Sequence, residues 1–179
     1  MQVDFVRHTA VDTKVVSLCY GVTDVALRET FQEEARAVAE FVRPLGEKAD
    51  EIFTSPLSRA RALAQFCGYH SAKEDSRIRE MDFGDWEMKP WSEILTTDDV
   101  PKFFRLYIEK RTPNGESLTD QRNRVKEFLD EQKSEGYRRI LVFCHGGVIN
   151  CARSIILGAS LEDAFASLPP YGSVTTLEY

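Results

Sequence analysis

Two apolar runs in this chain, "VDFVRH" at 3–8 and "ILVFCHGG" at 140–147, end alike. Each is rich in Val, Ile, Leu and Phe, as a strand buried on both faces of a parallel sheet must be. Each then delivers a histidine at its C-terminal end. A strand interior has no place for Arg7 and His8 side by side. The C-terminal edge of an open α/β sheet does, because ligands bind in the crevice outside that edge. In a parallel sheet both run ends reach the same edge, so the pattern predicts that His8 and His145 face one another across one crevice. The remaining histidine, His70, follows Tyr69 near a helix terminus and stays outside the pair.

The rest of the chain alternates helix-like and strand-like segments. Residues 29–43 carry Phe31, Ala35, Val38, Ala39 and Val42 at helical spacing, with Pro44 expected to end the run. A short strand, "DEIFTS", leads into "SPLSRARALAQFCGY", where Ser55 reads as an N-cap and Pro56 as the first helical residue. The region 77–116 is the least regular, with Trp86, Trp91, Phe103, Phe104 and Tyr107 spread over short helical pieces. Residues 117–135 form a surface helix with a narrow stripe of Leu118, Arg122, Val125, Phe128 and Leu129. The final "GSVTTLEY" alternates like a strand. The expected architecture is a three-layer α/β/α sandwich on a mostly parallel central sheet, one domain over 1–179.

Composition excludes several function classes. The formal net charge of −6 leaves no basic face for nucleic acid or an anionic membrane. No apolar run approaches the ~20 residues of a membrane span, and the first residues read as a strand rather than a cleavable leader. Cys19, Cys67, Cys144 and Cys151 form no CxxC pair, so they read as reduced, mostly buried thiols of a cytoplasmic protein.

Around the histidine pair the sequence gathers an anion site. "FTSPLSRARAL" is again strand, turn and helix start, and it carries Arg59 and Arg61 on different helix faces, so at most one enters the crevice. Helix N-termini attract anions through free amides and the helix dipole. Arg7 and Arg59 offer guanidinium forks suited to phosphoryl oxygens. The turn after His145 adds bare backbone at Gly146 and Gly147, where a ligand can approach closely. Cleaving an alkyl phosphate also needs a proton donor for the departing alkoxide. "REMDFGDWE" offers Glu80, Asp82, Asp85 and Glu87, and local chemistry does not choose among them.

Taken together, "VRHT", "SPLSRA", "REMDFGDWE", "PNGES" and the late "HGG" resemble, in order and over nearly the whole chain, the histidine phosphatase (phosphoglycerate mutase-like) superfamily. Within it, "LCYGVTDVAL" with "REMDFGDWE" is most similar to the α-ribazole phosphatases, which remove the 5′-phosphate of α-ribazole phosphate in cobalamin assembly. The resemblance implies that His8 is the nucleophile, forming a phosphohistidine, while Arg7, Arg59 and His145 hold the phosphoryl oxygens. It favours Glu80 over Asp82 as proton donor and gives Thr23 and Gly146 a place beside the phosphate. It implies a small-molecule phosphate ester as partner and no metal or other cofactor, since the arginines supply the positive charge. Met88 and Asn150 depart from the α-ribazole pattern, which more often has glycine and arginine there.

Three readings of function compete: a phosphatase of α-ribazole 5′-phosphate or another small ester, a phosphoglycerate mutase, and a non-catalytic phospho-ligand-binding module. The short chain is expected to lack room for the insertion that closes over a mutase site and keeps water away from the phosphohistidine. Glu116 or Ser117 of "PNGES" either approaches the leaving group or caps the helix that begins there. Trp86 and Trp91 read as core or lid positions rather than as a stacking surface. Neutral His8 and protonated Glu80 together predict a bell-shaped pH profile with a mildly acidic optimum.

Overall fold

The computed structural model describes residues 1–95 and 105–179, so Phe103 and Phe104 lie outside the described residues. In chain order the elements are β1 (Gln2–Arg7), α1 (Phe31–Gly46), β2 (Glu51–Thr54), α2 (Ser58–Phe66), β3 (Lys73–Glu74), α3 (Trp91–Ile94), α4 (Leu118–Ser134), β4 (Arg139–Cys144), α5 (Gly146–Leu157), α6 (Leu161–Ala164) and β5 (Val174–Glu178). The sheet order is β3-β2-β4-β1-β5. β4 pairs parallel to both β1 and β2, and β5 runs antiparallel to β1 at the edge.

The period of two along each strand divides the core into two layers. Val3 and Phe5 of β1 with Ile140, Val142 and Cys144 of β4 face Val125, Phe128 and Leu129 of α4 and Val148, Ile149 and Ala152 of α5. The alternate residues, Val6, Leu141 and Phe143, face Ala35, Val38 and Val42 of α1 and Leu63 and Ala64 of α2. Strands with both faces covered must be apolar throughout, which is why the two runs were so legible. Asp4 is the polar exception in β1; it is fully buried and takes hydrogen bonds from Arg139 Nε (2.8 Å) and Thr176 Oγ1 (2.6 Å).

Three boundaries differ from the sequence reading. Pro44 sits inside α1 rather than ending it, because it falls in the last turn. There its missing N–H frees only one carbonyl, and that of Glu40 is on an exposed face. Ser55 and Pro56 do not start α2: Leu57 is the N-cap, and the N–H of Ser55 still bonds Phe143 O as a continuation of the sheet. On α4 the inward stripe includes the fully buried Gln121, whereas Arg122 turns its guanidinium toward Ser154.

Candidate active site

The β1–β4 register places Arg7 opposite Cys144, so the next residues, His8 and His145, emerge side by side from adjacent strands. Their ring centroids are 5.2 Å apart, and both residues are buried. From the other side of β4, β2 ends at Thr54 and Ser55 follows, with its hydroxyl 2.7 Å from His145 Nε2. Arg59, on the first turn of α2, is fully buried beneath the loop at 20–24. It donates to Gly21 O from Nη2 (2.5 Å) and to Thr23 O from Nη1 (3.0 Å). Arg7 donates through Nη1 to Pro169 O.

Hydrogen bonding and burial set the protonation of both rings. His8 Nδ1 lies 2.7 Å from Thr9 O, and a carbonyl only accepts, so Nδ1 carries the proton and Nε2 keeps its lone pair. Burial, then the charge of Arg59, pushes the His8 pKa well below its ordinary 6.5, the Thr9 bond opposing and Arg7 adding to the depression. His145 is depressed in the same direction, first by burial and then by Arg59 and His8. The Ser55 hydroxyl engages Nε2 of His145 and leaves Nδ1 as its other ring nitrogen. That Nδ1 has no partner, and neither do Arg7 Nε and Arg59 Nε, all three buried. Buried polar atoms left without partners are costly, and two of these belong to arginines that share a cavity lining with His8.

Glu80 completes the group. Its Oε1 accepts from Met81 N (3.0 Å) and Gln121 Nε2 (2.8 Å), and its Oε2 from Gly147 N at the start of α5 (3.1 Å). One turn further along α4, Arg124 donates to the carbonyls of Arg77, Arg79 and Glu80, at 2.7, 2.7 and 2.9 Å. One face of α4 therefore fixes both the backbone and the carboxylate of the acid. Gly147 is required for space: a Cβ there would lie 2.2 Å from Glu80 Oε1.

Arg7, His8, Arg59, Glu80 and Gly147 line one cavity of about 330 Å³; His145, beside the His8 ring, is not on that lining. The outer wall is aromatic, built from Tyr20, Phe83, Trp86, Trp91, Tyr107 and Tyr171, with Leu18 and Leu168 between them. The tryptophans thus serve as cavity wall as well as core, for Trp91 packs edge-on against Phe83 (5.7 Å) and Trp86 against Tyr107 (4.8 Å).

The family profile described as histidine phosphatase superfamily (branch 1) matches residues 3–179. The chain belongs to that superfamily. Among curated histidine phosphatase relatives, phosphoserine phosphatase 1 of Hydrogenobacter thermophilus is 30% identical over 166 residues, covering 88% of this chain and 76% of that protein. "Probable phosphoglycerate mutase GpmB" of Enterobacter sp. is 33% identical over 168 residues, 88% of this chain and 75% of that protein. The fold is shared with the α-ribazole phosphatase of Shigella flexneri at a TM-score of 0.83, with 21% identity over 99% of this chain and 90% of that one. Histidine phosphatases act on phosphate esters, and the described residues contain no helix long and apolar enough to cross a membrane.

Other residues singled out in the sequence have different surroundings. Thr23 does not line the cavity: its hydroxyl donates to Glu87 Oε2 (2.5 Å), and its part in the site is the carbonyl that receives Arg59. The first amide of α2 is taken by Asp24, at 2.7 Å from Ser58 N, so that helix start brings Arg59 to the site rather than an open amide nest. Asp82 turns away from the cavity to accept from Gly84 N (2.9 Å). Ser117 forms a capping box with Asp120, and Glu116 is held by Arg124 and by Asp82 N, so both have structural partners. Gly146 leaves room for Arg7, whose Cζ would be 3.2 Å from an added Cβ. Asn150 donates to Ser167 O (3.0 Å), fastening the loop before β5. Met88 has a positive φ of 64°, the left-handed region that suits glycine.

Sequence reasoning missed Gln121 and offered Glu87 only as one of four candidate acids. Gln121 had a signal, since it falls three residues after Leu118 and four before Val125, on the apolar stripe. The role of Glu87 had none: its carboxylate gathers the amide of Phe83 in its own turn and those of Gly21, Val22 and Thr23 from a distant loop. It thereby shapes the loop that grips Arg59.

Proposed function

We propose that this protein is a metal-independent phosphomonoesterase working through a phosphohistidine on His8. The Nε2 lone pair of His8 attacks phosphorus in line; the N–P bond forms as the ester P–O bond breaks, and Glu80 gives its proton to the departing oxygen. Water then attacks the phosphohistidine, Glu80 takes its proton, and the N–P bond breaks to release inorganic phosphate and neutral His8. Arg7 and Arg59, on the cavity lining, stabilise the charge on the equatorial oxygens, and His145 packs beside the His8 ring. The observation that carries this reading is that His8, its Nε2 lone pair left free by the Nδ1 bond to Thr9 O, shares one cavity with Arg7, Arg59 and Glu80.

For the substrate we propose α-ribazole 5′-phosphate, or a small ester of the same kind with an uncharged aromatic leaving group. The outer wall offers rings and aliphatic groups, and among the described residues Arg7 and Arg59 are the only cations on the cavity lining. A carboxylate on the leaving group would be desolvated there without a partner, which costs several kcal/mol. The names of the relatives favour a second reading, phosphoserine phosphatase or phosphoglycerate mutase, and the same wall argues against it.

Two assays test these readings. Wild type should hydrolyse p-nitrophenyl phosphate in EDTA and His8→Ala should not; equal rates would leave a binding module as the better reading. On kcat/KM, α-ribazole 5′-phosphate should exceed phosphoserine and 3-phosphoglycerate by at least ~100-fold, the equivalent of about 3 kcal/mol. A carboxylated substrate in the lead would overturn the assignment.

A further inference from the structure

Two phenols join above the arginines. Tyr20 and Tyr171, 151 residues apart in the chain, lie hydroxyl to hydroxyl at 2.8 Å. The ring of Tyr171 lies 4.0 Å from Arg7 Cζ and its centroid 5.4 Å from that of His8. The ring of Tyr20 lies 5.6 Å from Arg59 Cζ. Each tyrosine also belongs to the loop whose carbonyl grips the arginine beneath it. Gly21, beside Tyr20, receives Arg59 Nη2, and Pro169, two residues before Tyr171, receives Arg7 Nη1. The Tyr171 loop is itself tied to the nucleophile, since Gly172 N donates to His8 O (3.1 Å).

Two guanidiniums that converge on one anion repel each other until the anion arrives. A site meant to accept a phosphoryl group without rearrangement needs something to hold both cations in place beforehand. The aromatic faces offset part of the cationic charge, and a hydrogen bond between the rings couples the two loops.

We propose that the Tyr20–Tyr171 pair is a positioning device that sets the spacing of Arg7 and Arg59 for the phosphoryl group. It acts through the arginines, not on the reacting atoms. This rests on the reading that those arginines hold the phosphate. Burial, then the bond to Tyr171, raises the Tyr20 pKa, so the phenol stays a neutral donor across the working range.

The test is a double-mutant cycle of Tyr20→Phe, Tyr171→Phe and both together, read as the inhibition constant of inorganic phosphate, the kcat and KM on p-nitrophenyl phosphate, and Tm. Removing either hydroxyl keeps both rings and loses one hydrogen bond, so each single variant should weaken phosphate about 5-fold. KM should rise in parallel and kcat should change little. The double variant should be no worse than either single, because the same bond is lost. Unchanged phosphate affinity in the singles, with or without a lower Tm, would overturn the proposal; so would additive losses. Arg7→Lys is the control. If it too leaves phosphate affinity intact, the anion-site reading fails; if it weakens phosphate while the Phe variants do not, this proposal alone fails.

Discussion

Gly147→Ala separates the proposed proton donor, Glu80, from the rest of the machinery. Gly147 is a helical residue without a positive φ, so alanine is no worse, and intrinsically ~1 kcal/mol better, for the backbone of α5. The new methyl carbon would lie 2.2 Å from Glu80 Oε1, 2.9 Å from Gln121 Nε2 and 3.1 Å from Glu80 Cδ. The carboxylate is the end of a flexible side chain, so it swings aside, losing its bonds to Gly147 and Gln121. Overpacking of this kind costs about 1–3 kcal/mol against the helix gain, and the fold should survive. The proposed acid is then misplaced while His8, Arg7 and Arg59 are untouched. A positioned acid contributes roughly 10²–10⁴ in rate, but nitrophenolate departs without a proton. On kcat/KM, which reports the step forming the phosphohistidine, an alkyl phosphate should lose at least ~100-fold and p-nitrophenyl phosphate less than about 10-fold. Equal losses on both esters would refute Glu80 as the acid in that step. Gly146→Ala is the companion: its Cβ would press on Arg7 Cζ (3.2 Å) and Nε (3.3 Å). It should therefore raise KM for both esters alike.

Two further outcomes follow from the buried charges. His8 and His145 are pushed well below 6.5, by burial first, so both stay neutral in the folded protein while unfolded histidine begins to protonate near that pH. Stability should therefore fall as pH drops from 6.5 through the folded values, seen as a declining Tm, and NMR should show neither ring titrating near 6.5; a midpoint there would contradict the depression. Arg124→Met should strand Glu116 and strip a donor from three carbonyls, costing about 3 kcal/mol and lowering Tm by roughly 9 °C. Combining it with Glu116→Gln should recover part of that loss, and a change under about 1 °C would show that the clamp contributes nothing.

The parts of this protein legible in the sequence are those with local signals. β1, β4 and the turn into α5 announce themselves because a strand covered on both faces must be apolar, and the histidines mark where the cover ends. Arg7, His8 and His145 follow from that alone. Arg59 could be narrowed only to one of two arginines, since the choice depends on how α2 meets the loop at 20–24. Glu80 could not be told from Asp82 by composition; what distinguishes it is Gln121 and Gly147, brought from 41 and 67 residues away. Thr23 has a place beside the phosphate only through the resemblance, and its hydroxyl donates to Glu87 in this structure. Ser55 looked like a cap because Ser-Pro so often opens a helix, yet its side chain completes His145 instead.

The parallel register between β1 and β4 has a consequence for how such a catalyst comes into being. The reactive centre straddles a seam between segments near opposite ends of the polypeptide, and a slip of one residue would turn His8 toward the wrong layer. No fragment, and no half-assembled chain lacking that seam, can hold His8 and His145 together. Turnover should thus appear only after this long-range pairing has closed, making enzymatic activity itself a reporter of finished assembly.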